Sequence, residues 1–135
     1  MTGMALAKQG DGWILPVAGQ QVTRLCLDNE AIRVLCRNMI EISISQPFIL
    51  TGLDGVRHLL DPAADGPGLA PVLRIMRQVI SAGTAYDDGR LEISFDGGDG
   101  IRVPYGPDFE AWTIAGPGGP DGLKIVSLPG GELAI

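Results

Sequence analysis

The sequence predicts an α+β domain that is mainly antiparallel β: two duplicated β-meanders with one amphipathic helix between them, packed as a sandwich or partly open barrel. The first observation behind this prediction is an alternating apolar pattern that returns after a constant interval of 59 residues, the distance from Ile32 to Leu91. Its positions are Ile32, Val34, Cys36, Ile42 and Ile44, which return as Leu91, Ile93, Phe95, Ile101 and Val103. The second is a segment with helical spacing between the copies. The third is a composition that is 45% hydrophobic and 19% charged, which is typical of a globular domain.

The length of 135 residues is close to the commonest size of one domain and is sufficient to bury a core. Residues 1–12 are polar and contain glycine, and we expect a loose leader there. The single domain is expected to span residues 13–135, with the internal repeat at approximately 20–50 and 79–114.

The first meander consists of three segments that alternate with period two, the pattern of strands with one buried face. These segments are Val22–Leu27, Ala31–Arg37 and Ile40–Ser45. A turn at Asn29-Glu30 pairs Leu27 with Ile32 and places Cys26 and Cys36 on opposite faces of the hairpin. Because side chains on opposite faces cannot reach disulfide distance, both thiols are predicted to be free.

The linker and the helix follow. Residues 51–68 are rich in glycine, proline and aspartate, a loop composition interrupted by a short apolar segment around Val56, Leu59 and Leu60. Beyond it, helical spacing with Pro71 in the first turn predicts an amphipathic helix. Its apolar positions are Leu69, Val72, Leu73, Met76 and Ile80, and Arg74 and Arg77 occupy its outward side.

The second meander begins near Ala82. Its Asp88-Gly89 pair indicates a type I′ hairpin turn, which pairs Tyr86 with Leu91 and turns Tyr86 toward the core. Three further strands are predicted: Phe109–Ile114, Leu123–Leu128 and Glu132–Ile135. The connections between them are the loop Ala115–Gly122 and a tight Pro129-Gly130-Gly131 turn.

Charge limits the possible partners. The chain has 16 acidic and 10 basic residues, a formal net charge of −6, which repels phosphate backbones and favours basic proteins. We therefore expect no nucleic acid partner. No apolar stretch approaches the length that spans a membrane, so we expect a cytoplasmic protein without a membrane partner.

No catalytic constellation is visible in the sequence, and we predict no catalytic residues, cofactor or metal ion. His58 is the only histidine and has no neighbours that would make it a base or a zinc ligand. The segment Asp96–Gly100 resembles a calcium loop but lacks the distal glutamate, and a hairpin turn explains it. The glycines of Gly116–Gly122 lack the lysine and serine of a phosphate loop.

The most distinctive segment is Gly106–Trp112, a turn followed by an aromatic strand. Alternation places Phe109 and Trp112 on opposite faces, so either the strand is buried on both sides or Trp112 belongs to an exposed contact patch. Arg74 and Arg77, one helical turn apart, suit an acidic partner, although ordinary solvation of the helix surface also accounts for them. The binding candidates are accordingly Glu110, Trp112, Arg74 and Arg77.

Two motifs carry a family resemblance. The strand Phe109-Glu110-Ala111-Trp112 and the turn Pro129-Gly130-Gly131 resemble those of a family of small actinobacterial proteins of unknown function, which share an F/Y-E-A-W strand and a C-terminal P-G-G turn. That family has no established activity, so the resemblance implies no functional residues.

Three functional hypotheses follow. The preferred one is a non-catalytic cytoplasmic interaction module that binds and masks a basic protein, as immunity and antitoxin-like proteins do, with homodimerisation at a sheet edge or over the Trp112 face. The alternative is a small-ligand binding domain with an apolar pocket between the sheets. That pocket would be lined by Trp13, Tyr86, Phe95, Tyr105 and Trp112. The third is an enzyme that uses Cys26 or a carboxylate pair.

Overall fold

The described part of the chain folds into two antiparallel sheets and one short helix. The computed structural model describes residues 6–107, 110–116 and 123–135. The strands of the first part of the chain are β1 (Ala7–Gln9), β2 (Gly12–Ile14), β3 (Val22–Leu27), β4 (Ile32–Cys36), β5 (Glu41–Ile44), β6 (Phe48–Thr51) and β7 (Arg57–Leu60). A 3₁₀ helix (Gly66–Ile75) is followed by β8 (Ile80–Tyr86), β9 (Leu91–Phe95), β10 (Gly100–Val103), β11 (Trp112–Ala115), β12 (Lys124–Ser127) and β13 (Leu133–Ala134).

Each sheet contains one three-stranded meander and a hairpin from the other half of the chain. The seven-stranded sheet has the order β1-β2-β8-β9-β10-β6-β7, and the six-stranded sheet has the order β13-β12-β11-β5-β4-β3. The hairpin β6-β7 follows β5 in sequence but pairs with β10, whereas β11-β12 follows β10 but pairs with β5. The prediction of a mainly antiparallel β fold is therefore confirmed, as two sheets that do not close into a barrel.

The core lies between the inner faces of the two sheets. Alternation along β4, β5, β9 and β10 turns every second residue inward, as the sequence pattern indicates. The ten repeated apolar positions, from Ile32 to Val103, all belong to this core and are at most 4% exposed. Burial of this apolar surface is the main favourable contribution to the stability of the fold.

Five hairpins share one type of loop. In each, the third loop residue has positive φ, and its N–H donates to the carbonyl of the residue before the loop. The N–H of that preceding residue donates to the carbonyl of the residue that follows the loop. This is the three-residue loop with a bulge at its third position, for which glycine is favoured. The third residues are Met39, Gly55, Gly89, Gly98 and Gly131. Met39 adopts φ 73° with its side chain 72% exposed.

The predicted type I′ turn at Asp88-Gly89 is therefore wrong. Because the loop has three residues, Ala85 rather than Tyr86 pairs with Leu91. A shift of one residue reverses the faces of a strand, so Ala85 lies in the core and Tyr86 points outward. In the first meander the predicted pairing of Leu27 with Ile32 is confirmed.

The helix differs from the prediction in type and extent. It is a 3₁₀ helix that buries Leu69, Val72 and Ile75, a spacing of three that matches three residues per turn. Leu73, at the spacing of an α-helix, is 55% exposed, and Ile80 begins β8. The proline at position 71 removes one backbone donor, which is consistent with the absence of regular α-helical bonding there.

Two other segments depart from the sequence reading. Residues 7–9, within the predicted loose leader, form β1, and residues 57–60, within the predicted linker loop, form β7. Phe109, the predicted start of the strand that contains Trp112, and most of the loop 115–122 lie outside the described residues. The other predicted C-terminal strands are present as β12 and β13.

Candidate functional site

The outer face of the six-stranded sheet forms a broad depression of about 1060 Å³, which we call the acidic trough. It is lined by Glu30, Ala31, Glu41, Ser43, Ser45, Ala63, Glu110, Thr113, Ala115, Lys124 and Pro129. Its floor comes from β5 and β11, and its walls come from loops and from β12.

The middle of the floor is low because Ser43, Thr113 and Ala115 have short side chains. In the central pair of strands Ser43 lies opposite Thr113, and Glu41 lies opposite Ala115. The inward-facing neighbours on the same strands, Ile42 and Ile114, belong to the core. The same alternation that fills the core therefore places small polar or apolar groups along the middle of the outer face.

Carboxylates predominate around the trough. Among the described residues, Glu30, Glu41 and Glu110 line it, against a single ammonium group from Lys124. Arg33 on β4 lies near Glu41, with its Nη1 3.8 Å from the carboxylate, and also near Asp28, with its Nε at 3.4 Å. Glu30 and Glu110 are exposed and form no ion pair within the described part of the chain.

Carboxylates and hydroxyls give the trough acceptors for a cationic partner. Ser43, Ser45 and Thr113 contribute hydroxyl groups, but no histidine or cysteine lines the depression to act as a base or nucleophile. Across residues 6–107, 110–116 and 123–135, no group of three or more His, Cys, Asp or Glu side chains is placed to hold a metal ion. The carboxylates and hydroxyls that line the trough can attract cations and accept hydrogen bonds.

Of the predicted binding candidates, the structure places Glu110 in the trough and Trp112 in the core. Trp112 is 1% exposed, and its indole Nε1 donates to the carbonyl of Gly89 at 2.8 Å. The sequence left two alternatives, a buried ring or an exposed contact patch. The structure buries the ring, so Trp112 is not part of an exposed patch.

Arg74 lies on the 3₁₀ helix, where it binds a carboxylate of the chain itself. Asp99, 5% exposed, accepts from Arg74 Nη2 at 3.0 Å, from Gln78 Nε2 at 2.7 Å and from the backbone N–H of Leu53 at 3.2 Å. The carboxylate thus ties the β9-β10 turn to the helix and to the β6-β7 turn.

We expect Asp99→Ala to lower the free energy of unfolding by about 2 kcal/mol, because three donors lose a buried carboxylate as their acceptor in a partly buried setting. Urea denaturation followed by circular dichroism measures the change. The control is Asp96→Ala in the same turn. That side chain is exposed, and its removal should change stability by less than about 0.5 kcal/mol. Equal effects of the two substitutions would contradict the assignment.

Arg77 follows the helix and lies apart from the trough. Its backbone is left-handed, with φ 72°, and its N–H donates to the carbonyl of Val22 at 2.9 Å. The amide of Gln21 in turn donates to the carbonyl of Arg77 at 3.1 Å. The backbone of this residue therefore joins the end of the helix to β3, and its exposed side chain is oriented by that conformation.

The aromatic residues of the small-ligand hypothesis are dispersed. Phe95 is buried in the core with Trp112, Trp13 packs at the edge of the core beneath Lys8, and Tyr105 is 46% exposed. Tyr86 points outward and donates a hydrogen bond to Glu92 at 3.0 Å, which raises the pKa of its phenol. None of the five lines the trough or the smaller depression of about 190 Å³ on the outer face of the seven-stranded sheet.

Both cysteines are free, as predicted. Cys36 lies in the core, and burial raises the pKa of its thiol to about 11, which suppresses the nucleophilic thiolate. Cys26 is half-buried on the opposite face of the same sheet, and it does not line the trough.

Sequence reasoning missed most of the trough. Glu41 and Thr113 were visible as outward positions of alternating strands, the usual pattern of a solvated face. Their convergence depends on the pairing of β5 with β11, which are about 70 residues apart in the sequence. No local motif signals such a pairing.

The two motifs that carry the family resemblance meet in space. Gly89 accepts a second buried hydrogen bond, from Ser127 Oγ at 3.0 Å, beside the one from Trp112. The backbone of Gly131 packs against the same turn, because a Cβ on Gly89 would lie 2.5 Å from the Gly131 carbonyl oxygen. The tryptophan of the strand and the glycine of the P-G-G turn therefore have a shared structural role.

Within the residues described, none of the helices has the length and apolar character required to cross a membrane. No curated protein and no solved structure matches the chain. A family model does match, over residues 13–135, which include the whole trough and both motifs. The chain therefore belongs to the Family of unknown function described as DUF6188.

Proposed function

We propose that this protein is a non-catalytic cytoplasmic interaction module that binds a basic segment of a partner protein across the acidic trough, in the manner of immunity or antitoxin-like proteins. The observation that supports the proposal is the arrangement of Glu30, Glu41 and Glu110 around an open floor of small side chains. Lysine and arginine side chains of a partner would reach these carboxylates while its backbone lies over the floor.

The size and openness of the trough favour a polypeptide over a metabolite. Small-molecule sites enclose most of their ligand in an apolar cavity of roughly 300–1,000 Å³. The trough, at about 1060 Å³, lies on an outer sheet face and has a charged rim. Complementary charge raises the rate of association and disfavours acidic competitors, and it adds to the general attraction exerted by a chain with a net charge of −6.

The test uses a synthetic peptide that alternates lysine and serine. We expect NMR titration of the ¹⁵N-labelled protein to shift the amide signals of Ser43, Thr113 and Ala115, and we expect binding to weaken as salt screens the charges. The double variant Glu41→Gln/Glu110→Gln should bind about tenfold more weakly, since each carboxylate of the trough contributes roughly 0.7 kcal/mol.

The matched control is Asp11→Asn/Asp96→Asn, which removes the same charge from exposed positions outside the trough. It should retain binding within about twofold. If both double variants lose affinity equally, the attraction is a property of the net charge alone, and the trough is not the binding site.

We also infer that the two meanders descend from a duplicated unit. In support, β9 and β10 have the bounds of β4 and β5 displaced by 59 residues, and the loops 37–39 and 96–98 have the same hydrogen bonds. The hairpins that follow the two meanders are also similar. Each of them, β6-β7 and β11-β12, pairs with the last strand of the other meander.

A further inference from the structure

We propose that two copies of this chain associate through β3, so that their six-stranded sheets join into one across a two-fold axis. This strand forms one edge of its sheet and has six residues, whereas the other edge strands, β1, β7 and β13, have three, four and two. A long edge strand offers backbone donors and acceptors to a second strand. The proposal does not depend on the function of the trough.

The backbone groups that face away from β4 can be identified from the register. The N–H of Asp28 donates to the carbonyl of Ala31 on the β4 side at 2.9 Å. Because hydrogen-bonded and non-hydrogen-bonded residues alternate along an antiparallel pair, Cys26 also bonds to β4, while Leu25 and Leu27 direct their N–H and C=O groups outward.

The beginning of β3 is already occupied. Val22 donates to the carbonyl of Gln78 and accepts from the N–H of Arg77, both at 2.9 Å. An irregularity in the pairing between Val22 and Arg24 then separates this covered part of the strand from the rest. The stretch open to a second strand is therefore centred near Cys26.

A two-fold axis at Cys26 makes this stretch complementary to itself. Leu25 then lies opposite the partner's Leu27, and Leu27 lies opposite the partner's Leu25. Each of these two pairs exchanges two backbone hydrogen bonds, so the interface has four. On the outer face, Arg24 lies opposite the partner's Asp28, so each copy contributes one cation and one anion to two cross-strand ion pairs.

Exposure and charge in the single chain agree with this arrangement. Leu27 is 45% exposed at the open end of the strand, where a second strand would cover it. Arg24 is exposed and has no ion-pair partner among the described residues, and Asp28 has only the 3.4 Å contact with Arg33. A second copy is thus the occupant that matches both the backbone pattern and the charges of this edge.

Sedimentation equilibrium tests the proposal. We expect the wild-type protein to sediment as a dimer, with twice the mass of the 14.2 kDa chain. Arg24→Asp and Asp28→Arg each place like charges opposite one another twice per dimer, and each should raise the dissociation constant at least about tenfold. The double variant Arg24→Asp/Asp28→Arg restores opposite charges and should return to within about threefold of the wild type. Arg57→Asp, on the edge strand β7 of the other sheet, is the control and should leave the dimer unchanged.

The register itself is tested by cross-linking. At a non-hydrogen-bonded antiparallel pair the two Cα atoms are about 4.5 Å apart, a distance that a disulfide can span. Mild oxidation with diamide should therefore yield a dimer linked by a disulfide between the two Cys26 side chains. Cys26→Ser should abolish this dimer, because the buried Cys36 cannot form the cross-link in its place. A monomeric mass, charge reversals without effect, or failure of the double variant to recover would each overturn the proposal.

Discussion

Replacing Trp112 with alanine is expected to lower the free energy of unfolding by about 4 kcal/mol. The ring is 1% exposed on β11 and is one of the largest fully buried side chains, so truncation leaves a large cavity between the sheets. The substitution also removes a donor from the carbonyl of Gly89, which retains only Ser127 Oγ. Urea denaturation followed by far-ultraviolet circular dichroism measures the effect without relying on tryptophan emission.

Trp112→Phe separates the two contributions to this effect. A phenyl ring retains most of the buried apolar surface but cannot donate to Gly89, and we expect a loss of about 1 to 2 kcal/mol. If Trp112→Ala unfolded at the same urea concentration as the wild type, the ring would lie in solvent. That result would support the hypothesis that Trp112 belongs to an exposed contact patch. The comparison therefore tests the buried position of the Trp112 ring.

The strands and their faces in the two meanders were predictable because alternation is a local property. Ile32, Val34 and Cys36 had to share a face, and the structure buries all three. The register of the second hairpin was not predictable from Asp88-Gly89 alone, since the same two residues fit a two-residue or a three-residue loop. Met39, the third residue of such a loop, shows that even the preference for glycine is not obeyed at every turn.

The pairing between strands of different halves was beyond sequence reasoning. The exchange of β6-β7 and β11-β12 depends on contacts between residues that are far apart in the chain, for which local patterns carry no signal. The trough could not be predicted for the same reason, because its floor forms where β5 pairs with β11. Glu110 was identified because it belongs to a conspicuous motif, whereas Glu41 lies in an ordinary strand.

Gly131→Ala is expected to cost about 3 kcal/mol, because the residue combines a left-handed backbone with a close contact. Its φ is 100°, which costs an L-residue about 1 to 2 kcal/mol. A Cβ at this position would lie 2.4 Å from the carbonyl oxygen of Asp88, a backbone atom that cannot move without displacing the β8-β9 turn. Overpacking of this kind adds about 1 to 3 kcal/mol.

The adjacent glycine is a matched control for this substitution. Gly130 also has positive φ, at 87°, but a Cβ there would have no atom within 4 Å. Gly130→Ala should therefore lose only the backbone term, about 1 kcal/mol, and the difference between the two variants isolates the contact between the turns. Equal losses in urea denaturation would show that the turns do not touch. A larger loss for Gly131→Ala would establish that the P-G-G turn packs against the β8-β9 turn, whose Gly89 carbonyl also accepts the hydrogen bond from Trp112.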